Sequence, residues 1–272
     1  MVVDVLASQL NAAWAHEKRW DCALAKFAQD VATPARRTAK ASRGGRKSTA
    51  GKGARVAATR PPASTFDEAR KEIVAAIALL ERATDLQPTV ERESLCGSAW
   101  KRLALVEAAS ANIQQQMQAI ENMKARYGRA EAIARASGDG GLFYPALNRM
   151  AAELVVDAAQ HGWRGFDPAS TAEVQANLVA KTRDDPDFWS VVGLTELRLY
   201  QAIANAALED ELEKITGEFD DLYRRVDAAS YWGSVRDQLR FVLPSYEARA
   251  NMREKAAIEA LSRHLAKLAA AS

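Results

Sequence analysis

Hydrophobic positions recur at helical spacing along most of the chain, from residue 66 to its end. Apolar side chains return every three or four positions, which is the period of an amphipathic helix. No convincing run alternates with the period of two that hairpin strands require. The pattern therefore predicts an all-α protein. Its predicted helices are 66–86, 93–110, 113–137, 143–161, 170–182, 187–207, 209–228, 231–243 and 246–269.

Several of these helix ends have a chemical cause in the sequence. Pro88 follows the first helix, and glycines between 138 and 141 break the chain after the third. Ser170 and Asp187 are predicted to cap the helices that begin beside them, because their side-chain oxygens can accept from free first-turn N–H groups. Helices of this length with short breaks between them predict stacked helical hairpins, which form a solenoid.

Two segments at the start of the chain differ from the rest. Residues 1–33 are predicted to form an N-terminal amphipathic helix, because their large apolar side chains recur near helical spacing. Residues 34–64 have one large aliphatic side chain, no aromatic ring and several Gly and Pro, and are predicted to be a disordered basic linker. The remaining chain divides into a repeat domain over 65–228 and C-terminal capping helices over 229–272.

Charge is divided unevenly along the chain. The net charge is +2, yet no acidic residue lies between Asp30 and Asp67, and without the nine basic residues found there, 28 basic residues face 35 acidic ones. Such a segment could bind nucleic acid through salt-dependent phosphate contacts, but it lacks aromatic rings for base stacking, and a linker is the simpler interpretation. The nine are Arg36, Arg37, Lys40, Arg43, Arg46, Lys47, Lys52, Arg55 and Arg60.

Other function classes find little support in the sequence. The apolar runs are far shorter than the roughly 20 residues of a membrane-spanning helix, and the N-terminus lacks an export signal. Cys22 and Cys96 lie far apart and suit a reduced cytoplasm. The three histidines have no helically spaced partner for a metal, and no catalytic motif occurs. We therefore expect a cytoplasmic, non-catalytic protein without a metal or cofactor.

One short segment resembles the second helix of a tetratricopeptide repeat. Ala76, Leu80 and Ala83 occupy the small, large and small packing positions of that helix, and Pro88 ends the unit. This resemblance predicts a tetratricopeptide-like, helical-hairpin solenoid.

A first-helix pattern then appears three times. An aromatic residue is followed three positions later by an aliphatic one at Trp100, Tyr144 and Trp189. The pattern predicts that each aromatic ring is a packing knob, since a bulky side chain needs a small neighbour one turn away. The spacings of 44 and 45 residues exceed the usual period of about 34. The repeats are therefore expected to be stretched and degenerate.

The runs 86–104 and 144–154 are similar to the tetratricopeptide sensor repeats, the TPR-S type, and the resemblance spans roughly 66–250. Repeats of that type are attached to CHAT or caspase-like proteases, TIR domains and other effectors of prokaryotic conflict systems. The resemblance implies a sensor or adaptor that regulates a protein effector, with a small molecule or a protein as its ligand. No effector domain is visible in the 272 residues.

Stacked hairpins predict a groove lined by first helices, which is where repeat proteins bind their ligands. Arg and Lys on these helices can hold a phosphate or a carboxylate, but a solvated face with surface ion pairs is the alternative. Asn148 stands where the pattern has a small residue, so it makes either an interhelical hydrogen bond or a ligand contact. The candidates are Ser98, Lys101, Arg102, Tyr144, Asn148, Arg149 and Glu153.

The leading functional interpretation is thus a non-catalytic sensor or adaptor of a bacterial defence-like signalling system. Two alternatives stay open. One is association with nucleic acid through the basic segment 36–60, and the other is a general peptide-binding or assembly chaperone.

Overall fold

The computed structural model describes residues 63–160 and 163–271, and the structural statements below concern these two stretches. The predicted N-terminal helix over 1–33 and the nine basic residues of the linker lie outside them. The chain divides into two compact units, Met1–Glu72 and Ile73–Ser272. The first described helix crosses this division, and it begins at residue 63, three residues before its predicted start at 66.

The described stretches contain nine α-helices, one short 3-10 helix and no strand, which confirms the predicted all-α class. Each helix is an amphipathic or buried segment, and a short loop connects it to the next. The helices are α1 (Ala63–Leu86), α2 (Val90–Ala109), α3 (Ile113–Ser137), α4 (Phe143–Val156), α5 (Pro168–Asp184), α6 (Phe188–Ala204), α7 (Leu208–Tyr223), α8 (Ala229–Glu247) and α9 (Met252–Ala271). The 3-10 helix, Asp157–Ala159, follows α4 directly.

Successive helices pack as hairpins, with α2 against α3, α4 against α5, α6 against α7, and α8 against α9. The second helix of one hairpin also packs on the first helix of the next, as α3 does on α4 and α5 on α6. The first helices α4 and α6 are in contact as well. This is the stacking of a tetratricopeptide-like solenoid, as predicted.

Two helix ends have the chemistry that the sequence predicts. Gly138 ends α3 in the left-handed conformation, with φ 67°, and its N–H points back to the carbonyl groups of Ala134 and Arg135. Before α6, an Asp187 carboxylate oxygen accepts from the Ser190 N–H at 2.7 Å. The Ser190 hydroxyl oxygen in turn accepts from the Asp187 N–H at 3.1 Å, which completes a capping box.

The predicted cap of α5 is wrong. Asp167, not Ser170, occupies the cap position, and its carboxylate accepts from the Ser170 N–H at 2.7 Å. Pro168 takes the first helical position, where a missing N–H costs no hydrogen bond.

The predicted end of α8 at residue 243 is also wrong. The helix continues through Pro244 to Glu247, and α9 begins at Met252 rather than at 246. Proline removes one hydrogen bond from a helix interior. Tertiary contacts hold the last turn in place, because Tyr246 is buried and the Ser245 hydroxyl donates to a carbonyl oxygen of α4 at 3.1 Å.

Helix α8 departs from regular stacking because it crosses the face formed by α2, α4 and α6, which we call the inner face. Near its start, Tyr231 stacks on Phe188 of α6. Further along, Gln238 bonds to Lys101 of α2, and α8 packs on α4 towards its end. The chain's own helix therefore covers part of the groove that the sequence assigns to a ligand.

The apolar side chains of α8 decide whether a ligand can displace it. Burying one such side chain contributes roughly 1.5–3 kcal/mol, so burying seven contributes on the order of 10–20 kcal/mol. That range matches or exceeds the roughly 5–15 kcal/mol that stabilises an ordinary domain. Helix α8 is thus part of the fold rather than a removable plug. The seven buried residues are Trp232, Val235, Leu239, Phe241, Val242, Leu243 and Tyr246.

Within the two described stretches, no helix combines the length and the hydropathy of a membrane-spanning segment.

Candidate functional site

Tyr127 of α3 is fully buried and lies against α2 at Gly97. A Cβ atom at Gly97 would stand 2.8 Å from the Tyr127 ring, so this approach requires glycine. From the other side, Tyr144 at the start of α4 meets the Tyr127 ring edge-on, with 6.3 Å between centroids and an interplanar angle of 74°. Tyr127 thus joins the first helices of two successive hairpins.

Three of the seven predicted site residues converge on the Tyr127 hydroxyl. Ser98 and Tyr144 hydrogen-bond with it, and the Arg102 guanidinium acts on it electrostatically. Burial is the main cause that raises the pKa of Tyr127 well above its usual value, so the phenol stays neutral. Tyr144 is 44% exposed, which opens the group to solvent. We call Gly97, Ser98, Arg102, Tyr127 and Tyr144 the Tyr127 cluster.

Lys101 lies apart from this cluster, in a polar centre between α2, α6 and α8. Its ammonium group donates to the side-chain oxygen of Gln238 and lies 5.4 Å from the centroid of the Phe241 ring. The Gln238 amide in turn donates to the Tyr200 hydroxyl at 2.8 Å. Lys101 and Tyr200 therefore provide hydrogen-bond partners for a buried glutamine of α8.

Glu196 of α6 belongs to the same polar centre, and the sequence prediction missed it. Burial raises the pKa of its carboxyl from 4.5 to about 7, and Lys101 acts weakly in the opposite direction. In the sequence, Glu196 is a charged residue among apolar ones, which is typical of a solvated helix position. Its burial depends on α8, which packs over it in the fold.

The three remaining candidates lie on α4 and make contacts of their own. The Asn148 amide donates to the Tyr144 carbonyl of its own helix at 3.0 Å, so the hydrogen bond that it makes is not interhelical. Arg149 pairs with Glu153 at 2.7 Å and with the buried Glu131 of α3 at 2.5 Å. Arg149 and Glu153 thus already have ion-pair partners within the protein.

Two of the three predicted packing knobs are among the more exposed aromatic residues. Tyr144 is 44% exposed and Trp189 38% exposed, whereas Trp100 is half-buried. Tyr144 and Trp189 are the second residues of their helices, where neighbouring helices leave part of each ring uncovered. The fully buried rings instead lie outside the pattern, and they are Tyr127, Tyr200, Phe219 and Trp232.

A second group of rings lies around Phe188, at the starts of α6 and α8. Phe188 stacks on Tyr231, with 4.7 Å between centroids, and meets Trp189 edge-on at 5.1 Å. On its inner side it meets Trp232 at 5.8 Å, and the Trp232 indole donates to the Val226 carbonyl at 2.7 Å. We call Phe188, Trp189, Tyr231 and Trp232, with Phe219 and Tyr223 of α7, the Phe188 cluster.

Metal and thiol chemistry have no obvious location in the described part of the chain. No three His, Cys, Asp or Glu side chains there lie together as metal ligands would. Cys96 is buried, and burial raises the pKa of its thiol to about 11, so it stays protonated at neutral pH.

Residues 23–154 match the family model described as Tetratricopeptide Repeats-Sensor, TPR-S. The matched stretch, just under half of the chain, is similar to TPR-S repeats. This region holds the Tyr127 cluster, and the Phe188 cluster lies beyond it. The match begins and ends earlier than the span 66–250 over which the sequence predicted the resemblance. No curated protein and no solved structure matches the chain.

Proposed function

We propose that this chain is a non-catalytic, cytoplasmic sensor or adaptor that binds a ligand or a protein at the Tyr127 cluster. In this proposal it regulates an effector protein of a bacterial defence-like signalling system. One observation carries the proposal. Ser98, Arg102 and Tyr144 come from two first helices, meet at one buried ring within the TPR-S region, and include an aromatic side chain that is open to solvent.

The chemistry of the cluster suits a ligand that joins a flat or apolar part to an anionic or hydrogen-bonding group. The guanidinium of Arg102 can donate to a carboxylate or phosphate. The hydroxyls of Ser98 and Tyr144 both donate and accept, and the Tyr144 ring offers apolar surface.

The position of the cluster suits the transmission of a binding event along the stack. Tyr127 contacts both α2 and α4, and α4 packs on α6. A ligand shifts such a stack only if it binds one arrangement of the helices more tightly than another. An effector bound further along the repeats would respond to that shift.

Native mass spectrometry of gently purified protein tests the proposal. We expect a co-purified small molecule or partner on the unmodified chain and its loss from the double variant Arg102→Ala, Tyr144→Ala. Arg183→Ala is the matched control, because Arg183 forms an exposed pair with its neighbour Asp184. An absence of binding across metabolite and lysate screens would contradict the sensor function.

The uneven charge of the chain favours a second candidate, which is association with nucleic acid through residues 36–60. Nucleic acid that co-purifies with the full chain and disappears when residues 34–62 are deleted would support it. A chaperone role would be favoured instead if the neighbouring genes encode a secretion or assembly system rather than a protease, nuclease or TIR effector.

A further inference from the structure

We propose that Trp189 and Tyr231 form a separate docking surface for a proline-rich segment of a partner protein in the polyproline II conformation. This surface lies outside the TPR-S match, on the first turns of α6 and α8. The inference does not depend on ligand binding at the Tyr127 cluster.

The two rings form a preorganised notch. Their centroids are 5.6 Å apart, the planes meet at 65°, and the side chains are 38% and 39% exposed. Both rings rest on the buried Phe188, at 5.1 Å and 4.7 Å. Rings already held in place lose little conformational entropy on binding, which is a property of aromatic hot spots.

The polar atoms of the two rings suit a partner that offers free backbone carbonyl groups. In the described part of the chain, neither the Trp189 indole N–H nor the Tyr231 hydroxyl has a hydrogen-bond partner, whereas the Trp232 indole donates to Val226. A polyproline II segment has no internal hydrogen bonds, so its carbonyl groups are free to accept. Its proline rings pack against exposed aromatic side chains.

Local charge argues against a strongly ionic partner. The two segments that flank the rings, 181–187 and 224–228, carry four basic and four acidic residues. Much of this charge is also paired locally, as in Arg183 with Asp184 at 2.6 Å. The surface therefore has no net charge to attract a basic or an acidic peptide. An uncharged, proline-rich segment fits both the rings and the charge balance.

Peptide titration followed through the indole N–H signals of ¹⁵N-labelled full chain tests this inference. The probes are a proline-rich dodecapeptide, a lysine-rich peptide and an amphipathic helical peptide, each of the same length. We expect the proline-rich peptide to shift the Trp189 indole signal and to bind more tightly than the other two. Preference for the lysine-rich or the helical peptide would overturn the assigned partner class.

The variants Trp189→Ala and Tyr231→Ala should each weaken binding by about tenfold or more, as hot-spot residues do. Trp189→Phe keeps a ring but loses the indole N–H, so its affinity for the proline-rich peptide should lie between that of the unmodified chain and that of Trp189→Ala. Met252→Ala is the control, because Met252 is an exposed apolar side chain elsewhere on the chain. Each variant must keep a cooperative thermal transition above the temperature of the titration, so that a loss of binding is not a loss of fold.

Three outcomes would overturn the inference. One is no binding of the proline-rich peptide at millimolar concentration, and another is binding that Trp189→Ala leaves unchanged. The third is concentration-dependent self-association that Trp189→Ala abolishes, which would assign the notch to a second copy of the chain. Loss of proline-rich binding in Tyr144→Ala, with Trp189→Ala unaffected, would instead place the peptide at the Tyr127 cluster.

Discussion

The Tyr127 and Phe188 clusters share one arrangement of aromatic rings but differ in the side chains around them. In each, a fully buried ring, Tyr127 or Trp232, belongs to the same cluster as an exposed ring at the start of a first helix, Tyr144 or Trp189. Polar side chains surround the first pair, whereas only further aromatic rings back the second. The comparison shows that one position of the repeat can present different chemistry, depending on what the neighbouring helices supply.

The largest effect is expected when the buried and the exposed tryptophan of the Phe188 cluster are removed in turn, which tests whether the two rings have different roles. Trp232→Ala should cost about 3–5 kcal/mol of unfolding free energy, because it leaves a large cavity and an unpaired Val226 carbonyl. Trp189→Ala should cost less than about 1 kcal/mol. Urea unfolding monitored by circular dichroism measures both. Equal costs would mean that Trp189 is a core residue and that no notch exists.

A pH titration should distinguish α6 from the Tyr127 cluster, because Glu196 lies on α6, the helix that carries Phe188 and Trp189, and has no counterpart in the Tyr127 cluster. Its pKa is about 7 in the folded protein and near 4.5 in the unfolded chain, so the folded state binds the proton more tightly. The contribution of Glu196 to stability is full below about pH 4.5 and is lost as pH rises towards 7. The loss is on the order of 3 kcal/mol at most.

The control is Glu196→Gln, which should remove this fall in stability between pH 4.5 and 7. Tyr127 has its pKa raised far from this range, so Tyr127→Phe should leave the fall unchanged. If the glutamine variant shows the same fall, another group is responsible.

The close contact beneath the Tyr127 cluster predicts a smaller effect. Gly97→Ala should cost about 1–3 kcal/mol, because the new methyl group would overlap the Tyr127 ring unless α2 or α3 moves. Gly217→Ala is the matched control, since it lies in α7 with nothing within 4 Å of its Cβ position. It should stabilise the protein by about 0.5–1 kcal/mol. Thermal unfolding of both variants checks the difference.

The smallest effect is expected at Asn148, beside the Tyr127 cluster. Asn148→Ala removes a hydrogen bond to its own helix and adds a better helix former, so stability should change by less than about 0.5 kcal/mol. A loss above about 1.5 kcal/mol in urea unfolding would show an interhelical hydrogen bond instead.

Local features of the fold are predictable from the sequence because their causes are local. The capping box at Asp187 and the left-handed Gly138 use residues within a few positions of each other. The path of α8 is different, since it depends on pairs such as Lys101 and Gln238, which are 137 residues apart. No helical period encodes which of two amphipathic helices will lie across another.

The candidate site shows the same limit. Ser98 and Arg102 share one face of α2 by their spacing, so their proximity is predictable, but Tyr127 is not part of any motif that marks a first helix. Arg149 is satisfied by Glu131, a buried glutamate of the preceding helix. A sequence pattern gives the side chains that can bind a ligand without showing which of them already have partners.

The buried Glu254 of α9 has a consequence for the order in which the molecule is made. Its carboxylate accepts from the backbone N–H groups of Leu208 and Glu209, at 3.1 Å and 3.3 Å, and so completes the first turn of α7. Chains fold from their N-terminus as they leave the ribosome. The first turn of α7 can therefore gain these two hydrogen bonds only after a residue 46 positions downstream has been added to the chain. We expect the last two hairpins to become stable together.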